Sequence, residues 1–188
     1  MLQVARLAPQ LLQQSTENVE SFVRSRQAPD GGFLDRLGEV DLYYTVFGLA
    51  CLESLQTELP LVDLRRYLGT FVEPFHLDFV HLTSLARLWA SLPPEELPVE
   101  RRAAILDSIA SYRTDDGGFH NAKKGVPHGT AYGAFLGLGA YQDLGENLPD
   151  QAGFLSALTS LALPDGSYAN ERGVPAGVTT ATAGAVAA

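Results

Sequence analysis

An all-α repeat fold built from stacked helix pairs is predicted by three observations: a phrase that returns, the spacing of its returns, and the lack of a strand pattern between them. Asp30-Gly31-Gly32-Phe33 recurs as Asp116-Gly117-Gly118-Phe119 and, relaxed, as Asp165-Gly166-Ser167-Tyr168. The copies start 86 and then 49 residues apart, which fits units of roughly 40 to 50 residues with one degenerate unit between the first two. Val and Ile are scattered rather than alternating with polar residues, and no Asn-Gly or Asp-Gly turn separates two alternating runs, so strands are not expected. A unit of this size cannot bury its apolar face alone, and the copies must therefore stack.

Leu12, Val19, Phe22 and Val23 give the first apolar stripe at helical spacing. Asp30 to Phe33 then forms a turn. Its glycines permit positive φ, its aspartate caps the turn, and its aromatic drops back onto a neighbouring helix. Asp41 opens a helix near 41–55, and another is expected near 61–72. The segment Asp78 to Leu92 aligns without gaps on Asp41 to Leu55, sharing the opening aspartate and the Leu/Ala spacing, which locates the degenerate unit. The loop before it, around Glu73-Pro74-Phe75, has lost its glycines. Pro98 starts a helix near 99–113 with the stripe Ile105, Leu106, Ile109 and Tyr112. Further helices are expected near 129–143, near 150–162 and from 177 onward. Gly and Asp dominate turns for backbone reasons, so those of the repeated turns are expected to touch no ligand. Asp41 and Asp78 are expected to act as N-caps.

With 188 residues, 46% of them hydrophobic, the chain can bury a substantial core as one domain, 1–188. A formal charge of −9 excludes the basic surface of a nucleic-acid binder. The N-terminus lacks the apolar run of a signal peptide and no stretch approaches a membrane span, which gives a cytoplasmic expectation. The single cysteine, Cys51, rules out an internal disulfide and is expected to be a buried core thiol.

Gln27-Ala28-Pro29-Asp30-Gly31-Gly32-Phe33 resembles the Gln-x-x-x-Gly-x-aromatic repeat of the prenyltransferase and squalene cyclase superfamily, and the resemblance runs from about residue 16 to 188. Gly38-Glu39-Val40-Asp41 and Pro127-His128-Gly129 resemble most closely the β subunit of protein farnesyl- and geranylgeranyltransferases. The resemblance implies an α/α toroid, here a partial α6/α6 barrel of about four helix pairs where the family closes its ring with roughly six. Because the last apolar stretch, Ala176 to Ala188, begins an inner helix and no outer helix follows, the expectations are truncation, self-association over the exposed edge, or an α-type partner subunit.

The chemistry implied is transfer of an isoprenoid from its diphosphate to a thiol, which needs an apolar cavity, cations for the leaving diphosphate and, in this family, a zinc-held thiolate. Arg36, Tyr44 and His128 fall where the family contacts diphosphate, and Tyr43, Phe47, Trp89, Tyr132 and Phe135 are the candidates for the apolar pocket. Lys123 and Lys124 read as solvated loop residues. The family's zinc ligands are an Asp, a Cys two residues later and a His on a later helix. Asp41 fits the first, but Tyr43 occupies the Cys position, and His76, His81 and His120 lack a second ligand at short helical spacing. No cofactor is therefore expected within this chain alone, and zinc only if other ligands come from elsewhere. A non-catalytic module that keeps the cavity is the alternative to a transferase. A terpene cyclase-like fragment is another, but its Asp-x-Asp-Asp acid would have to be read from Arg113-Thr114-Asp115-Asp116, where the first carboxylate is missing. Asp41 and Asp78 could serve as a glycosidase pair only by giving up their capping role.

Overall fold

The computed structural model describes residue 5 and residues 7–188. The chain divides into two compact units, Met1–Val72 and Glu73–Ala188. The first contains α1 (Ala8–Leu12), α2 (Thr16–Ser25), the two-residue strands β1 (Phe33–Leu34) and β2 (Val40–Asp41), α3 (Leu42–Ser54) and α4 (Leu61–Gly69). The second contains α5 (Phe79–Trp89), α6 (Val99–Ala110), α7 (Ala131–Asp143), α8 (Gln151–Thr159) and α9 (Thr179–Ala187). None of the helices among the described residues is long and apolar enough to cross a membrane.

The repeated turns share one hydrogen-bond pattern. Asp30, Asp116 and Asp165 each accept, at Oδ1, from the N–H two residues on, at 3.0–3.1 Å. Gly31, Gly117 and Gly166 sit at φ 107°, 89° and 83°, where a side chain would be strained. Each turn then zips onto the end of the helix before it, through Leu34 N–H to Arg26 O, His120 N–H to Tyr112 O and Ala169 N–H to Leu161 O. In the degenerate unit the glycines are replaced by a 3-10 turn, Pro74–His76, closed by Leu77 N–H to Pro74 O. Asp41 and Asp78 cap α3 and α5 by accepting from Tyr44 N–H and His81 N–H. The gapless alignment of these helices is matched in burial: Leu42, Thr45, Leu49, Leu52 and Leu55 are buried, and so are Phe79, Leu82, Ala86, Trp89 and Leu92 at the corresponding places.

In the second unit α5 packs on α7 and α7 on α9, with α6 against α5 and α8 against α7. Their core centres on Phe119, whose ring faces Phe79, Tyr141 and Phe154 at centroid distances of 5.9, 6.2 and 6.4 Å. Helix α7 comes close enough to receive that ring only because of its glycines. A Cβ on Gly133 would lie 2.2 Å from Phe119 O, and one on Gly137 would lie 2.5 Å from the ring. In the first unit Phe33 lies in the same way against Gly48. Its N–H donates to Thr45 Oγ1 at 2.9 Å, as Tyr168 N–H does to Thr182 Oγ1 at 3.0 Å.

Three expectations are corrected. A short antiparallel ladder, Phe33 to Asp41 and Leu34 to Val40, exists where no strand was expected. It arises from local closure, since Asp35 accepts from the N–H groups of both Leu37 and Glu39 and folds the chain back. Phe22 is 66% exposed rather than buried; Val23 alone is buried in α2. Cys51 is exposed, because the buried stripe of α3 runs through Leu49 and Leu52 and leaves position 51 off it.

Candidate functional site

In the second unit the Asp116 turn does more than turn the chain. Its Oδ1 accepts from Thr114 Oγ1 at 2.7 Å and from the N–H groups of Gly118 and Gly129 at 3.1 and 3.3 Å. Its Oδ2 lies 3.3 Å from His128 Nδ1 and 3.9 Å from Arg172 Nη2. The carboxylate side chain is only 14% exposed, whereas His128 and Arg172 are 47% and 42% exposed. One enclosed carboxylate thus holds two cationic or cation-capable groups at the surface. Thr130 fixes the start of α7 nearby, accepting from Gly133 N–H at 2.9 Å and donating to Asn121 Oδ1 at 2.9 Å. The loop bearing Arg172 is tied to the same helix start, since Asn170 accepts from Ala131 N–H and Tyr132 N–H.

Burial opposes ionisation of Asp116, but the hydrogen bonds from Thr114, Gly118, Gly129 and His128 together outweigh it and hold the carboxyl below its usual value of 3.8. A depressed folded value contributes stability that is present above the unfolded value and lost as pH falls through the folded one. Lowering the pH from 5 towards 3 is therefore expected to destabilise the second unit. Asp116→Asn should flatten that dependence in urea titrations repeated across the range. An unchanged slope would show that the carboxylate contributes no pH-linked stability.

In the first unit Arg36 is exposed in the turn between β1 and β2. That turn is held by the Asp35 hydrogen bonds and by Arg26 Nη2 donating to Asp35 O at 2.6 Å. Tyr43 and Phe47 lie on the exposed side of α3 with their rings edge to face at 4.8 Å, and Tyr44 is 6.1 Å from Tyr43. In the second unit Tyr132 opens α7, and half-buried Phe135 packs against α9 at Gly184. Trp89 ends α5 and is buried, near Arg102 of α6 and Asp143 of α7. Lys124 is not simply solvated: its Nζ stands over the Tyr112 ring at 4.6 Å. Arg172 is the candidate that the sequence reading missed. Its signal was its place in the loop after the third Asp-Gly copy, which parallels that of the lysines after the second.

The donors do not fit a zinc ion. Asp41 Oδ1 is already the N-cap acceptor for Tyr44 N–H at 2.8 Å, and its neighbour at the second ligand position is a tyrosine. No group of three or more His, Cys, Asp or Glu among the described residues is placed to hold a metal ion.

No curated protein matches the chain. A family model described as the prenyltransferase alpha-alpha toroid domain matches residues 4–81 and again 76–178. The two matches overlap at residues 76–81, from the end of the glycine-free loop into the first turn of α5, and each contains at least one of the Asp-Gly turns. The repeated turn, the helix that follows it and the extent of these matches place the chain in the prenyltransferase alpha-alpha toroid domain family.

Proposed function

We propose that this domain binds a prenyl diphosphate, with His128 and Arg172 receiving the diphosphate and Tyr132 beginning the apolar surface for its chain. The observation that carries this reading is the pair of exposed groups beside the enclosed Asp116 carboxylate, His128 at 3.3 Å and Arg172 at 3.9 Å, the latter anchored by its Nε donating to Ser160 Oγ at 3.0 Å. Charge-assisted hydrogen bonds to phosphate oxygens are the strong polar ones, and side chains placed beforehand, His128 by Asp116 and Arg172 by Ser160, lower the ordering cost of binding. Arg36 and Tyr44 belong to the proposal on the family resemblance alone, as do Tyr43, Phe47, Trp89 and Phe135 for the apolar chain. If transfer follows, a thiol sulfur bonds to C1 of the isoprenoid as the C1–O bond breaks and diphosphate leaves. The cations would then stabilise the departing negative charge.

Calorimetry with geranylgeranyl diphosphate tests the reading. Removing a hydrogen bond to a charged group costs about 1.5–3 kcal/mol. Arg172→Ala and Arg36→Ala are each expected to weaken the diphosphate at least about tenfold, each ~1.4 kcal/mol being a factor of ten, and to leave geranylgeraniol nearly unchanged. Equal losses for both ligands would assign the arginine to loop support. No binding of either ligand by folded protein would remove the isoprenoid from the proposal.

A binding module without transfer is the second reading, favoured by Tyr43 standing at the position of a thiolate ligand and by the capping use of Asp41. A thiol peptide that gains no isoprenoid mass in the presence of bound diphosphate would select it. The cyclase reading is disfavoured on physical grounds. A general acid needs a raised pKa, and that of Asp116 is lowered.

A further inference from the structure

The Asp116 carboxylate fixes more than the position of His128. Its Oδ1 already takes three donors, Thr114 Oγ1, Gly118 N–H and Gly129 N–H, which stops the carboxylate from rotating and leaves Oδ2 towards the imidazole. Those hydrogen bonds keep Asp116 ionised at neutral pH, so Oδ2 has no proton to give. The ring nitrogen 3.3 Å from it, His128 Nδ1, must therefore carry one. With the proton on Nε2 instead, the ring would set the Nδ1 lone pair against those of Oδ2.

A neutral imidazole has one N–H and one lone pair. With Nδ1 donating to Asp116, the lone pair belongs to Nε2, on a side chain that is 47% exposed. An anion arriving at Nε2 meets that lone pair unless a second proton is bound there. The other charged groups of this region are differently engaged. Arg172 donates its Nε to Ser160 Oγ at 3.0 Å and stands 3.9 Å from Asp116 Oδ2. Arg113 donates to Gly117 O at 2.9 Å and lies 3.8 Å from Asp150 at the start of α8. Lys124 stands over the Tyr112 ring, and Asp115, Lys123 and Glu171 are exposed. His120 Nδ1 accepts from the N–H groups of Ala122 and Lys123, and the first turn of α7 has no acidic residue. Imidazoles are the side chains that change charge near neutral pH.

We propose that a diphosphate binding here takes up a proton on His128 Nε2, with Asp116 as the positioning residue that fixes the tautomer. The ligand is that of the diphosphate reading, on which this step rests; the tautomer belongs to the free protein.

Nitrogen NMR of the full chain at pH 8, with the His128 signals assigned by their loss in His128→Gln, is expected to show the proton of the neutral ring on Nδ1. A proton on Nε2 would overturn the proposal whatever the ligand does. Calorimetry of geranylgeranyl diphosphate at pH 8, in buffers of different ionisation enthalpy, is expected to show uptake of at least about half a proton per chain, since a phosphate with a second pKa of about 6 then has no proton of its own to release. Affinity should fall at least about tenfold from pH 7 to pH 9, as proton linkage requires, and should change less than about twofold in His128→Gln, whose amide donates at every pH. Arg172→Ala should bind more weakly with the same uptake. Binding without proton uptake, or a pH dependence that survives in His128→Gln, would overturn the proposal and leave the diphosphate site standing. No binding of the diphosphate by folded protein would remove both.

Discussion

Phe119→Ala is expected to lower the stability of the second unit by about 3–5 kcal/mol, the range for truncating a fully buried phenylalanine. The ring is 0% exposed and is enclosed by Phe79, Tyr141 and Phe154, with the Arg113 guanidinium 5.3 Å from its centre. Total stabilities are about 5–15 kcal/mol, so one truncation could remove a large share. The neighbouring backbone cannot close the gap easily, because Gly133 and Gly137 hold α7 at a distance set by the ring. Urea unfolding of the single variant measures the loss, and a value below about 1 kcal/mol would sit at the level of an ordinary substitution and displace Phe119 from the centre of the core. Gly137→Ala supplies a sharper check. Alone it must push a Cβ to 2.5 Å from the ring, whereas in the Phe119→Ala background that space is vacant, so the two changes should be strongly non-additive.

Gly31→Ala is the second large effect, and it acts through backbone rather than apolar volume. At φ 107° a side chain is strained, and its Cβ would lie 2.1 Å from the carbonyl oxygen of Asp63 in the first turn of α4. A loss of about 2–3 kcal/mol is expected, the upper part of the range for a sparsely populated backbone conformation. Gly38→Ala isolates the conformational part, because its φ is 89° and nothing lies within 4 Å of the added carbon. It should cost at most about half as much, near the low end of the same range. Equal losses in thermal unfolding would mean that the approach to Asp63 has no energetic weight.

The parts of the fold that were legible in the sequence are those set by short-range chemistry. Asp-Gly-Gly specifies its turn because the carboxylate reaches the N–H two residues on, and Asp41 and Asp78 specify helix starts in the same local way. What was not legible depends on which side of a helix meets a neighbour. Helix α3 is apolar nearly all round, so period alone could not say that Cys51 and Phe47 are exposed while Leu49 and Leu52 are buried. The candidate site divides along the same line. His128 could be named from its Pro-His-Gly setting, but Arg172 joins it only through a carboxylate 56 residues earlier in the chain, and no local pattern records that contact. Trp89 was assigned by its aromatic character; that its N–H is buried without a partner appears only once α5 is packed.

The closing bonds of the Asp-Gly turns each join residues eight positions apart, and each ties the start of one helix pair to the end of the helix just made. Such contacts need almost no loop closure before they form. A chain organised this way has low contact order around its turns, so its helix pairs can assemble progressively from neighbouring segments rather than waiting for distant ones to meet. Repeat proteins share that nearest-neighbour logic. For this chain it means that each Asp-Gly turn can close on the segment just before it, whereas the glycine-free loop at Pro74 closes only on itself, through Leu77 N–H to Pro74 O.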